Sequence, residues 1–373
     1  MLKKTTLIIF ALLFVVSIAS DGSSQARGTT GRPAPGNMPG KWWFIPKADF
    51  EAIMGPTRGD RSARMVPVGG DAQLGAYILH YPVQKSEMPN SFYHPEISEI
   101  YYVIRGEGTA LLGGELEDAK LAAPGTKNYR EITGTNVTGK MKNYQTVKWG
   151  PGDVIIVPAG VPHMIGWEVT VPNDILRVVL DPKKRMDPVL TTEASRARLK
   201  TEGEPQPPAP AGSPTTPNIP GQTFTIIPKK DTEALMKGEI GDTPARVVKI
   251  PGGSNVGVFV LHMQPRKPPA GLVSSFYHSE VSELYYIVRG SGAAMMGGEL
   301  ENATWDDSNS ASIRNVRGPS VNGNMKNAVP QKFTPGDAIM VAAGVPHAFT
   351  YEVVEPTDII RVVIDHKGLL TLK

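Results

Sequence analysis

"SFYHPEISEIYYVIRGEG" occupies residues 91–108, and "SFYHSEVSELYYIVRGSG" occupies residues 275–292. Each stretch holds a histidine, a glutamate five residues later, and then aromatic and β-branched residues closing on glycine. Such a run, bounded by turn residues, reads as a β-strand. His94 stands just before the strand and Glu99 at its start, so a bend at strand entry aims both side chains at one point. His278 and Glu283 repeat the arrangement.

The duplication extends well beyond these strands. "IPKADFEAIM" at residue 45 returns as "IPKKDTEALM" at 227, and "GAYILH" at 75 returns as "GVFVLH" at 257. "PGDVIIVPAGVPH" at 151 returns as "PGDAIMVAAGVPH" at 335, and "DILRVVLD" at 174 as "DIIRVVID" at 358. A repeat this long marks two copies of one domain, placed at 40–181 and 221–370. Residues 182–220 join them. They include "EPQPPAPAGSPTTPNIPG", whose proline density forbids a regular helix or inner strand and reads as an extended linker. Short, frequent strands separated by turn signals argue for an all-β sandwich or barrel in each copy. One short helix is expected at Ala48–Met54 and another at Lys230–Met236.

Composition narrows the function. The 373 residues carry a net charge of +3, with no basic run, which argues against nucleic-acid binding. There is no cysteine, so thiolate ligands and disulfides are excluded. At the N-terminus, Lys3 and Lys4 precede an uncharged apolar stretch from Leu7 to Ile18, with small residues allowing cleavage after Ala19 or Ala26. This is a secretory pattern. The expectation is a signal peptide within 1–26, a secreted or periplasmic product, and no membrane attachment after cleavage.

Six of the seven histidines form repeat-related pairs: His80/His262, His94/His278 and His163/His347; His366 stands alone. His163 and His347 follow the turn "AGVP" and open the next strand. Two imidazoles and one carboxylate converging inside a barrel make a metal site with open positions, compatible with Fe(II), Mn(II), Ni(II) or Zn(II). The sets are His94, Glu99, His163 and His278, Glu283, His347.

These residues resemble the cupin family. Its first motif, G-x5-H-x-H-x3,4-E-x6-G, is matched at His94, Glu99 and Gly106, and again at His278, Glu283 and Gly290. Its second, G-x5-P-x-G-x2-H-x3-N, is matched at Gly152, Pro158, Gly160 and His163, and again at Gly336, Gly344 and His347. The resemblance implies two tandem double-stranded β-helix (jelly-roll) barrels, a bicupin, with one divalent metal per barrel. Three departures stand out. The first histidine of H-x-H is Phe92 in one copy and Phe276 in the other; Ala342 replaces the motif proline; the terminal asparagine is absent.

The missing histidine makes His80 and His262 candidates for a third imidazole. Alternation puts His80 on one face with Ala76 and Ile78, and a hydrogen-bonded core histidine is the competing reading. Phe92, Phe276, Tyr102 and Tyr286 are candidate substrate contacts, with ordinary strand packing the competing reading for the tyrosines. Arg105/Arg289, Arg177/Arg361 and Arg64/Arg246 could hold a carboxylate ligand or form structural ion pairs. No separate general base stands out. The resemblance implies a metal-dependent enzyme, dioxygenase-like, acting on a small organic molecule, and the N-terminal pattern implies that it is exported. The alternative is a non-catalytic cupin that binds a small molecule or sugar or serves as a storage-type protein. The chain is expected as a monomer or homo-oligomer.

Overall fold

A computed structural model describes residues 41–55, 58–69, 72–122, 128–187, 223–238 and 240–373. The signal-peptide reading at 1–26 and most of the linker reading lie outside these residues. The first repeat runs β1 (Trp42–Ile45), α1 (Lys47–Ile53), β2 (Gly59–Gly69), β3 (Ala72–Tyr81), β4 (Gln84–Lys85), β5 (Asn90–Tyr93), β6 (Ser98–Leu112), β7 (Glu115–Leu121), β8 (Val137–Lys142), β9 (Gln145–Trp149), β10 (Val154–Val157) and β11 (His163–Asp181). The second runs β12 (Thr225–Ile227), α2 (Lys229–Met236), β13 (Gly241–Lys249), β14 (Asn255–Met263), β15 (Ser274–His278), β16 (Val281–Arg289), β17 (Gly292–Met296), β18 (Glu299–Trp305), β19 (Ser320–Lys326), β20 (Val329–Phe333), β21 (Ala338–Val341), β22 (His347–Val353) and β23 (Thr357–Asp365). A π-helical turn follows β7 at Tyr129–Thr133 and β18 at Ile313–Arg317. Among the described residues no helix is long and apolar enough to cross a membrane.

Each repeat folds into a jelly-roll barrel. In the first, the long strands β6 and β11 run through both walls and bend at register shifts between Met164 and Ile175. Bulges of this kind let one strand turn a corner. In the second repeat the same path is broken into β16–β17 and β22–β23. The central strands are buried along their whole length: β3 from Ala72 to His80, β23 throughout. Both faces of this sheet are therefore covered, and its sequence reads as a continuous apolar run rather than a clean alternation.

The two faces bury against different things. Leu79, Tyr101, Val103, Ile155, Val157 and Ile175 fill the interior of the first barrel. Ala76, Ile78, Ile100, Tyr102, Leu176 and Val178 point the other way, into a core shared with Val260, Leu284, Ile360 and Val362 of the second repeat. The barrels thus pack sheet against sheet.

The first strand of each repeat belongs to the other barrel. β1 pairs antiparallel with β21, Ile45 opposite Ala338. β12 pairs antiparallel with β10, Ile227 opposite Val154. The helix that follows is tied across as well. Pro46 and Pro228 precede α1 and α2 and offer no side-chain cap. Instead the Lys47 amide donates to Asp337 Oδ1, and the Lys229 amide to Asp153 Oδ1, each at 2.6 Å. These aspartates, one from each "PGD" turn, satisfy helix donors that would otherwise be orphaned.

Candidate metal centres

The turn before β11 brings the ligands together. Gly160 takes φ = 86°, open to glycine without strain, and its amide donates to the His94 carbonyl at 2.7 Å. Gly344 does the same to His278, also at 2.7 Å. The register then sets His163 opposite Phe92, and His347 opposite Phe276.

The result is two buried groups, His94–Glu99–His163 and His278–Glu283–His347, each with its ligand atoms within 4.8 Å of one another. Their Nε2 atoms face the glutamate: His94 to Glu99 Oε1 3.3 Å, His163 to Glu99 Oε2 2.9 Å, His278 to Glu283 Oε1 3.3 Å and His347 to Glu283 Oε2 3.1 Å.

The tautomers follow from the other ring nitrogen. His163 Nδ1 lies 2.9 Å from the Val161 carbonyl, His347 Nδ1 2.8 Å from Val345, and His94 Nδ1 3.3 Å from Thr135. A carbonyl only accepts, so Nδ1 carries the proton. His278 Nδ1 meets Ser320 Oγ at 2.9 Å, and that hydroxyl already donates to the Gly318 carbonyl, so the ring again donates. In each neutral ring Nε2 is then a bare lone pair aimed at a carboxylate oxygen. Among the described residues, His94, His163 and His278 Nε2 have no hydrogen-bond partner. Tyr285 donates to His347 Nε2 at 3.3 Å. Buried lone pairs facing carboxylate oxygens repel unless a cation lies between them. The donor set therefore fits a divalent metal, and the Nδ1–H bonds are the outer contacts that fix metal-binding imidazoles.

The carboxylates are kept ionised from behind. Arg177 Nε donates to Glu99 Oε1 at 2.6 Å, with Nη2 2.5 Å from the same oxygen; Arg361 does the same to Glu283 at 2.6 and 2.5 Å. Both arginines are buried. Burial works to raise each glutamate, but the arginine and then the two histidines hold it well below the ordinary carboxylate range. Burial lowers His94, and lowers His278 to about 4, against the pull of the glutamate. The arginines also reach outward. Arg177 Nη1 donates to Asp60 at 2.6 Å and to the Ile132 carbonyl at 3.0 Å; Arg361 Nη1 donates to Asp242 at 2.5 Å and to the Val316 carbonyl at 3.2 Å. Burial pushes Asp60 and Asp242 up to about 6, with the arginine opposing it. The tyrosines at the two centres bond differently: the Tyr101 hydroxyl donates to Glu99 Oε2 at 2.8 Å, whereas Tyr285 donates to His347 Nε2 and Glu283 Oε2 has no hydrogen-bond partner among the described residues.

His80 and His262 do not join these groups. The expected alternation holds, since His80 shares a face with Ala76 and Ile78. That face, however, covers the junction between barrels and not the barrel interior. There His80 Nδ1 bonds Asp174 Oδ1 at 2.8 Å, and Arg105 bonds the other oxygen; His262, Asp358 and Arg289 repeat this, with 2.7 Å for the first bond. Tyr102 and Tyr286 also fall at the junction, in the core shared by the two barrels, with ring centroids 5.6 Å apart. Their neighbours Tyr101 and Tyr285 are the tyrosines at the centres. Phe92 and Phe276 do lie against the ligands: Phe92 is 5.0 Å from the His94 ring and 4.9 Å from that of His163, and Phe276 is 5.1 and 5.2 Å from His278 and His347. The missing histidine has been replaced by a ring that walls the centre.

A cavity of about 590 Å³ opens at the second centre, lined by His278, His347, Phe276, Tyr285, Phe349 and Asp242 among others. That size suits a small organic molecule. Of the two readings open for Arg177 and Arg361, the structure shows structural ion pairs, with Glu99 and Glu283 as partners that the sequence did not name, and Asp60 and Asp242 were not among the expected residues. A charged residue in an otherwise apolar, doubly buried strand was the available signal for the arginines.

Residues 65–195 match the family model described as Cupin. No curated protein matches the sequence. The chain is similar in structure to salicylate 1,2-dioxygenase from Pseudoaminobacter salicylatoxidans, in complex with gentisate, at 12% identity over 88% of this chain and 82% of that one, TM-score 0.44. It is similar to oxalate decarboxylase from Bacillus subtilis at 12% identity over 86% and 79%, TM-score 0.35. It is also similar to a cupin 2 conserved barrel domain protein from Leptotrichia buccalis at 10% identity over 89% and 96%, TM-score 0.38. The family match covers most of the first repeat, and the second reproduces its strand path and its His–Glu–His group residue for residue. Residues 65–195 thus carry a cupin domain, and the second repeat is a jelly-roll barrel with the same His–Glu–His group.

Proposed function

We propose that this protein is a metal-dependent enzyme of the dioxygenase-like kind, acting on a small organic molecule, with one divalent transition metal in each barrel. The observation that carries the reading is the set of partnerless Nε2 lone pairs facing an ionised carboxylate in a buried site. A bound Fe(II), Mn(II), Ni(II) or Zn(II) would supply Lewis acidity, and the redox-active ions electron transfer, at positions the three ligands leave open. The protein's own residues do the rest. Arg177 and Arg361 grip Glu99 and Glu283 through Oε1, and the Nδ1–H bonds fix each ring. Phe92 and Phe276 keep water from one side of the ligand rings. Tyr285, which burial and then Glu283 hold well above the ordinary tyrosine range, remains a proton-bearing donor at the cavity. Export supports an oxidising setting for this chemistry, and rests on the Lys3–Lys4 and Leu7–Ile18 pattern.

The test is elemental analysis of purified protein. About two metals per chain are expected, one fewer in His94→Ala and one fewer in His278→Ala, with His80→Ala and His262→Ala unchanged. Oxygen uptake across a panel of small molecules then reads the reaction class. A well-folded protein that takes up no metal would leave the non-catalytic binding reading in its place.

A further inference from the structure

The cavity at the second centre has a feature that the first repeat does not share. Arg317 closes the π-helical turn Ile313–Arg317, where the first repeat has Thr133 at the end of Tyr129–Thr133. Its neighbours changed with it: Asp306 and Asn322 stand where the first repeat has Ala122 and Thr138. Arg317 lines the cavity, and its Cζ lies 4.3 Å over the Phe276 ring, the same ring that walls His278 and His347. Arg361 lines the cavity too, but its donors are taken by Glu283, Asp242 and the Val316 carbonyl. Arg317 is less committed. Its Nη1 is 3.5 Å from Asp306 Oδ2, at the long end for an ion pair, while Asp306 Oδ1 is bonded by Asn322. A guanidinium offers five donors in a fork that matches a carboxylate. Around it the walls are aromatic: Phe276, and the stacked pair Tyr285 and Phe349, with centroids 3.9 Å apart.

We infer that Arg317 determines specificity in the second barrel, selecting a small molecule that bears a carboxylate on a flat apolar body. The inference rests on the proposed function only in taking this cavity as the substrate site. The carboxylate pairs with the guanidinium fork, and the flat body packs against Phe276 and the Tyr285–Phe349 pair. Asp306 competes with the ligand for the guanidinium and so sets its affinity. The first barrel, with threonine in place of this arginine, lacks the preference.

The test uses the full-length metal-loaded protein, with benzoate as probe and benzamide as its uncharged counterpart, followed by calorimetry. Benzoate is expected to bind more tightly than benzamide. Arg317→Gln should lower benzoate affinity by roughly tenfold or more, the worth of a charged hydrogen bond, and leave benzamide unchanged. Asp306→Asn should tighten benzoate by removing its competitor. Benzoate binding that ignores Arg317→Gln overturns the inference, as does wild-type protein that binds no benzoate. Binding lost on chelation but insensitive to Arg317→Gln does so too, because the carboxylate then sits on the metal. Should Arg317→Gln fail to fold, Asp306→Asn and Arg317→Lys decide: unchanged benzoate affinity in both overturns the inference. Protein that proves metal-free yet binds benzoate through Arg317 upholds this inference while removing the proposed function.

Discussion

Arg361→Leu is expected to melt the metal-free protein at a markedly lower temperature than the native chain. The guanidinium is buried, and among the described residues it is the only fixed positive charge bonded to the buried Glu283 carboxylate. Removing one partner of such a pair strands the other in a medium that cannot solvate it, at about 3–5 kcal/mol. For a domain of this size that corresponds to a fall in Tm on the order of 10 °C. The cost is specific to the unpaired charge. Arg361→Leu combined with Glu283→Leu should recover most of the loss, since a buried pair exchanged for apolar groups of similar volume is often neutral. Loaded metal should reduce the loss in the single variant, because the cation takes over charge compensation at Glu283. Calorimetric scans with and without chelator read all three outcomes. A single variant that melts with the native chain would mean that Glu283 is not ionised.

The second large effect concerns acid. Burial holds His278 at about 4, against an ordinary 6.5. Between those values the unfolded ring binds a proton that the folded ring refuses, so falling pH draws the metal-free chain toward the unfolded state. The loss begins near pH 6.5, is complete near pH 4, and is on the order of 3 kcal/mol. Asp242 has the opposite sign. Its folded carboxyl titrates at about 6 against an ordinary 3.8, so the folded state takes its proton first and gains stability as pH falls through that window. The two contributions largely offset. Native metal-free protein should therefore show a shallow pH dependence between 6 and 4, and then weaken as Glu283 is forced to protonate. Asp242→Asn keeps an acceptor for Arg361 and should expose the His278 slope, read by urea unfolding at a series of pH values. Equal slopes in the two proteins would refute the offset. Metal retention follows the same logic: His278 stays available as a neutral ligand well below pH 6.

The gathering of the two His–Glu–His groups was legible in the sequence because their residues lie at a strand entry and a strand start, where spacing alone fixes direction. His94, Glu99 and His163 needed no knowledge of what the barrel packs against. His80 did. Period-two alternation sorts β3 into two faces but does not say which one is the barrel interior, and both are buried. The same ambiguity separated Tyr101 from Tyr102. Arg177 was visible as an anomaly in an apolar strand, yet its partner Glu99 is 78 residues away and reached only through the β6–β11 register. Arg317 was invisible because it lies where the two copies differ, and comparing copies rewards only what they share. Nothing local in "WWFI" or "TII" shows that these strands leave their own repeat.

That crossing has a consequence for the history and handling of the molecule. A protein with a single copy of this repeat would have an unfilled sheet edge and a loose first strand, and two such molecules would complete each other as a symmetric pair. The present chain is that pair made covalent. Severed between 188 and 222, it would yield two pieces that are each incomplete alone and complementary together, because each carries the strand that the other's β10 or β21 needs.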